Sequence, residues 1–198
     1  MHDRVISRAH PGAMSVLLTV VGAAVLTAVC AQLSFGYPVP TTMQTFAVLG
    51  SAAFLGARKG AAGQLLYIGA GAAGMPIFAD GHGGIDWLTQ ANPLHASGGY
   101  LWGYPLAALL VGWLCDRYGR SFYVTVPAML AGSVVLYATG LVWLHQAIPT
   151  HWTGAGITTL HYGLWPFVVG DVAKIFAAAA IIDPSAPWGR VLGRLRFE

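Results

Sequence analysis

Long apolar segments recur throughout this chain, and its charged residues stand almost entirely between them. A bilayer's hydrocarbon layer is ~30 Å thick and takes about 20 helical residues to cross. Segments near that length fall at 14–34, 41–57, 60–76, 99–116, 121–144 and 161–182. No water is present there to satisfy exposed backbone, and continuous apolar runs of this length meet that need as helices. A chain that is 56% hydrophobic and 9% charged, with a mean hydropathy of +0.63, cannot hide this apolar surface in water. The expectation is an all-α integral membrane protein, a single membrane domain over 1–198 built as a bundle of six transmembrane helices, with no length left for a soluble domain. The second and third segments are short and carry Gly50, Gly56, Gly60, Gly63, Gly69, Gly71 and Gly74, residues that allow helices to approach closely in lipid.

Of ten Lys and Arg residues, nine gather at segment ends: Arg4 and Arg8; Arg58 and Lys59; Arg117 and Arg120; Arg190, Arg194 and Arg196. Six crossings put all four clusters on one side, which the positive-inside rule makes cytoplasmic. Both termini are then cytoplasmic, and the opposite loops, 35–40, 77–98 and 145–160, contain no Lys or Arg. Trp87, Trp102, Trp143, Trp152 and Trp165 lie in or near those outer loops, as an interfacial belt requires. The net charge of +3 reflects this topology, and no nucleic-acid partner is read into it.

The tenth cation breaks the pattern. Lys174 lies within the last apolar segment, three residues after Asp171, in PFVVGDVAKIFAAAAII. Residues three apart share a helix face. Ionisable groups inside a membrane segment mark a ligand or ion pathway more often than packing, because placing them there costs about 2.5–3.5 kcal/mol on insertion scales. A structural ion pair and a proton path are the competing readings.

The outer loop MPIFADGHGGIDWLTQANPLHASGGY brings five closely spaced glycines together with Asp80, His82 and Asp86, and glycine lets backbone approach a ligand. A pocket wall is expected from it, and a metal site is not, since those three side chains offer too few ligands. Cys30 and Cys115 fall near opposite membrane faces, which excludes a disulfide, and both are read as small buried residues. Thr27-Ala28-Val29-Cys30 has the outline of a lipoprotein cleavage site, but the preceding run is long and Val29 is unfavourable before the cysteine. The segment is therefore read as a retained helix.

Three stretches in order, PVPTTMQT, GGYLWGYPLAA and GDVAK, within a pattern running over most of residues 31–180, resemble the BioY family. That family comprises the biotin-specific substrate-binding subunits of energy-coupling-factor (ECF) vitamin transporters. The resemblance implies a six-helix, multi-pass subunit in the plasma membrane of a prokaryote. It would capture biotin from outside and release it inside, powered by a coupling (T) subunit and ABC-type ATPases. Binding positions carried over are Gln44, Tyr100, Asp171 and Lys174, with Gly83 and Gly84 aligned in the glycine loop. His82 joins them as a candidate, although FADGHGG departs from the family's usual FAGGxGG at Asp80 and His82. The family's docking through small residues of the first helix points to Ala24, Ala28 and Ala31.

The chemistry of the pair suits such a ligand. A ureido group presents two N–H donors beside a carbonyl acceptor, so Asp171 can accept an N–H while Lys174 donates to the carbonyl or meets the ligand's carboxylate. Tyr37, Phe46, Tyr67, Tyr100, Tyr104 and Trp165 are candidate apolar walls. No cofactor is expected apart from biotin as transported ligand, and membrane lipid is the surrounding partner. No GxxxxGK[ST] phosphate loop occurs, so energy must come from partner subunits. The alternative is a solitary facilitator or proton-coupled carrier. An enzyme is not expected, since no G-x-S-x-G or H-E-x-x-H motif occurs.

Overall fold

The computed structural model describes residues 12–36, 39–147 and 155–183. Tyr37, Trp152 and the cations Arg4, Arg8, Arg190, Arg194 and Arg196 lie outside them. The described chain is helical apart from one two-residue strand pair. Helix α1 covers Ala13–Gln32, α2 Gln44–Leu55 and α3 Ala57–Ala72. A short turn of helix, α4, spans Asp86–Thr89 before α5 (Gly98–Tyr118) and α6 (Phe122–Ala147). The last two are α7 (Ala155–Gly163) and α8 (Trp165–Ile182).

Among the described residues four stretches are long and apolar enough to cross a membrane: Ala13–Gln32, Pro93–Tyr118, Phe122–Ala147 and Thr159–Ile182. The chain is thus a multi-pass membrane protein. The expected second and third spans are shorter, 12 and 16 residues, about 18 and 24 Å at 1.5 Å per residue. The expected last span divides at Leu164. Pro166 cannot donate a backbone hydrogen bond and so weakens the helix around it. Phe167 N–H turns to the carbonyl of Leu164, three residues back rather than four. The carbonyl of Gly163 is thereby left for a side chain.

An apolar skin surrounds the bundle. Leu17, Val25 and Val29 of α1, Leu106 and Trp113 of α5, Val134 and Val142 of α6, and Val169 and Ile181 of α8 are all exposed. Contiguous apolar surface on this scale fits lipid rather than water. Inside, Val48, Leu49, Tyr67, Ala107, Val111, Met129 and Leu136 form the core, with α5 packed between α2, α3 and α6.

The inward face of α1 is its small-residue face. Ala24 and Ala31 are buried, Ala28 packs against the core, and Thr27 hydrogen-bonds Gln64 of α3. The Ala24–Ala28–Ala31 ridge expected to meet a partner subunit therefore serves contact within the chain. A small side chain permits close approach without specifying which neighbour approaches.

The ends of the bundle differ in kind. At one end the tight turn at Gly56 (φ +88°) sits under Asp116, whose carboxylate accepts the Ala57 N–H at 3.0 Å and pairs with Arg120 at 2.5 Å. Arg120 also donates to the carbonyl of Ala53 at 2.9 Å. The cations of the α2–α3 and α5–α6 turns therefore share one end of the molecule. At the other end α2 and α5 begin, and there Thr42, Thr45, Asp171 and Lys174 meet.

Candidate ligand-binding site

After α1 the chain makes a brief antiparallel pair, β1 (Ser34–Phe35) with β2 (Thr41–Thr42), in the register Ser34 with Thr42. This turns the carbonyl of Thr42 and the first residues of α2 toward α8. On one face of α8, about two turns and three turns from its start, stand Asp171 and Lys174, with side chains 6% and 12% exposed. Lys174 Nζ lies 2.9 Å from Asp171 Oδ1, 2.6 Å from the Thr42 carbonyl and 3.4 Å from Thr45 Oγ1. All three ammonium hydrogens have partners. The carboxylate is held in turn by two hydroxyls: Thr45 donates to Oδ1 at 2.7 Å and Tyr137 of α6 donates to Oδ2 at 2.7 Å. A buried ion pair persists where hydrogen bonds offset its loss of water.

A cavity of about 50 Å3 lies beside the pair, lined among others by Thr42, Gln44, Thr45, Tyr100, Tyr104, Tyr137 and Phe167. The loop after α3 covers it with Phe78, Ala79 and Trp87. That space holds a few waters, whereas pockets for small organic ligands run to about 300–1,000 Å3. Several hydrogen bonds hold this loop down. Gln32 Nε2 donates to the carbonyls of Ile77 (3.3 Å) and Phe78 (3.1 Å), and Ser34 bonds Asp80.

Four residues singled out by sequence, Gln44, Tyr100, Asp171 and Lys174, come together around the cavity. Gln44 is 5% exposed and forms part of a relay. It accepts from Thr42 at 2.9 Å and donates to Tyr67 at 2.8 Å, and Tyr67 donates to Ile77 of the covering loop at 3.1 Å. The Tyr100 hydroxyl donates at 2.6 Å to the Gly163 carbonyl freed by the break before α8.

Three others are placed differently. Gly83 and Gly84 do not line the cavity; the Gly84 N–H bonds the Gly71 carbonyl at 2.7 Å, and a Cβ on Gly83 would stand 2.2 Å from the Met75 carbonyl oxygen. Their backbones dock the loop onto the end of α3. His82 is exposed, its Nδ1 lies 2.8 Å from the Ala79 carbonyl, and its ring sits 4.8 Å from that of Trp87. Among the candidate walls, Tyr104 lines the cavity, Tyr67 is fully buried behind Gln44, Phe46 borders a separate apolar groove, and Trp165 is 65% exposed.

Sequence reasoning missed Thr45 and Tyr137, the two hydroxyls that hold Asp171. Thr45 adjoins Gln44 within PVPTTMQT, and Tyr137 is a lone polar aromatic inside the apolar run SVVLYATG. Those positions were the available signal. Among the described residues no cluster of three or more His, Cys, Asp or Glu could hold a metal ion, and both cysteines are free and buried.

Comparison with known proteins identifies the family. The sequence model described as the BioY family matches residues 4–189. A probable biotin transporter BioY of Methanothermobacter thermautotrophicus is 40% identical over 161 residues, covering 75% of this chain and 96% of the relative. The biotin transporter BioY of Rhizobium etli is 34% identical over 176 residues, covering 83% and 89%. In fold, the chain is similar to the crystal structure of an S-component for biotin from an ECF-type ABC transporter. That match has a TM-score of 0.72 and 20% identity over 85% of this chain and 89% of the other. With the family pattern spanning nearly the whole sequence and the fold in agreement, the chain belongs to the BioY family.

Proposed function

We propose that this chain is the biotin-binding membrane subunit of an ECF transporter, taking biotin at the outer face of a prokaryotic plasma membrane. The observation that carries the reading is the buried Asp171–Lys174 pair beside a cavity, at the bundle end opposite the Arg58, Lys59, Arg117 and Arg120 turns. With those cations cytoplasmic under the positive-inside rule, the cavity opens outward. Both termini are then cytoplasmic, and the short α2 and α3 complete six passes. Asp171 and Lys174 supply an acceptor and a donor for the ureido ring, while Tyr100, Tyr104 and Phe167 flank its apolar remainder. Gln44 reaches the same cavity and ties it to the covering loop.

Transport against a gradient is assigned to a T subunit and ABC-type ATPases, in keeping with the likeness to an S-component. Since Ala24 and Ala31 face inward, docking falls to other surfaces of the subunit. The test is a thermal-unfolding screen of detergent-purified protein with biotin, thiamine, riboflavin and biotin methyl ester. Saturation at 100 times Kd adds about 2.7 kcal/mol, or about 5–10 °C in Tm for a chain of this size. Biotin alone among the vitamins should give that shift. A shift with thiamine or riboflavin and none with biotin would refute the assignment. Uptake in cells that persists after removal of the ATPases but collapses with the proton gradient would favour a solitary carrier.

A further inference from the structure

Among the described residues three hydrogen bonds reach the Asp171 carboxylate. An ionised carboxylate has about four lone-pair positions. Among the described residues Oδ1 accepts from Thr45 and Lys174, and Oδ2 accepts from Tyr137 alone. The open position is therefore on Oδ2, next to the Tyr137 hydroxyl, 2.7 Å away. That hydroxyl has one hydrogen, already directed at Asp171, so its oxygen meets anything entering the cavity as an acceptor. Both residues line the cavity. Lys174 has the complementary state: its contact with Thr45, at 3.4 Å, is the longest of its three and the readiest to be exchanged for a ligand carbonyl.

We propose that Tyr137 is a specificity-determining residue: its hydroxyl oxygen and Asp171 Oδ2 together form a two-acceptor ledge that takes a single ring N–H in a three-centre bond. Such shared hydrogen bonds are common in proteins. The inference rests on the reading of this cavity as a biotin site. In a five-membered urea the two N–H bonds diverge, so acceptors only 2.7 Å apart serve one nitrogen and not both. The ligand class selected is thus a cyclic urea or lactam with an unsubstituted N–H adjoining its carbonyl, the carbonyl meeting Lys174. Tyr137 keeps its hydrogen on Asp171 in both the empty and the loaded site.

The experiment is calorimetric titration of the purified full chain and of Tyr137→Phe with biotin and with its two mono-N-methyl ureido isomers. Tyr137→Phe should weaken biotin about tenfold. The wild-type preference for biotin over one isomer should fall by the same factor, and the preference over the other should stay within twofold. Equal weakening of all three ligands would show a structural role and overturn the proposal, as would unchanged binding. Tighter biotin binding by Tyr137→Phe would also overturn it, because it would mean that the hydroxyl competes with the ligand for Asp171. Melting of the unliganded variant checks its fold, and Tyr137→Met repeats the comparison if the Phe variant does not fold. Absence of biotin binding by the wild-type chain would bring down the functional reading itself, a result distinct from wild-type binding with an unaltered preference in the variant.

Discussion

Two acid–base pairs at helical spacing occupy the two ends of this molecule, and they differ in nearly everything else. Asp116 and Arg120 are 46% and 39% exposed at a turn end, and their partners, Ala57 N–H and the Ala53 carbonyl, belong to the backbone they fasten. Asp171 and Lys174 are buried, and their partners are the Thr42 carbonyl and the hydroxyls of Thr45 and Tyr137, gathered from two separate parts of the chain around a cavity. Spacing alone does not separate these cases. What separates them is desolvation: an exposed pair is screened by water and contributes ~0–1 kcal/mol, whereas a buried pair persists only where hydrogen bonds offset its lost hydration. An arrangement of that kind beside a cavity is where a ligand can be recognised.

The sharpest contrast should come from Lys174→Ala. It strands the Asp171 carboxylate in the interior, where losing one partner of a buried pair costs about 3–5 kcal/mol. Chemical unfolding should register that loss, and biotin binding should vanish. Gly56→Ala tests the opposite end. A Cβ there would lie 2.6 Å from Asp116 Oδ1, on backbone at φ +88°. The expected destabilisation is about 1–3 kcal/mol, from the positive φ and the crowded carboxylate, with biotin affinity per folded molecule unchanged. Arg120→Ala should be smallest, below about 1 kcal/mol by thermal melting, and smaller still at high salt. A loss of biotin affinity in Arg120→Ala would erase the distinction between the ends.

Much of the fold was legible because lipid imposes simple rules. Apolar runs, the grouping of cations at turns and the solitary Asp171–Lys174 pair could all be read without a structure. The break before α8 was not read, since 161–182 was expected as one span, and neither was its consequence, a carbonyl released to the Tyr100 hydroxyl. Partners remote in sequence could not be read. Thr45 and Tyr137 are 126 and 34 residues from Asp171, and only the packing of α2 and α6 on α8 brings them there. Gly83, Gly84 and the Ala24–Ala28–Ala31 ridge show a further limit. Small residues declare that something comes close, but ligand, loop backbone and neighbouring helix are equally compatible with that signal.

The central claim is that the buried pair is kept for a ligand and not for the fold. Replacing both members of a buried ion pair with apolar residues of similar volume is often neutral or stabilising, by about 1–4 kcal/mol. The direct measurement is therefore biotin titration of the double variant Asp171→Leu, Lys174→Met, alongside its unliganded melting. The account predicts a protein that melts at or above the wild-type temperature and does not bind biotin. A double variant that binds biotin with wild-type affinity, or one that no longer folds, would contradict it.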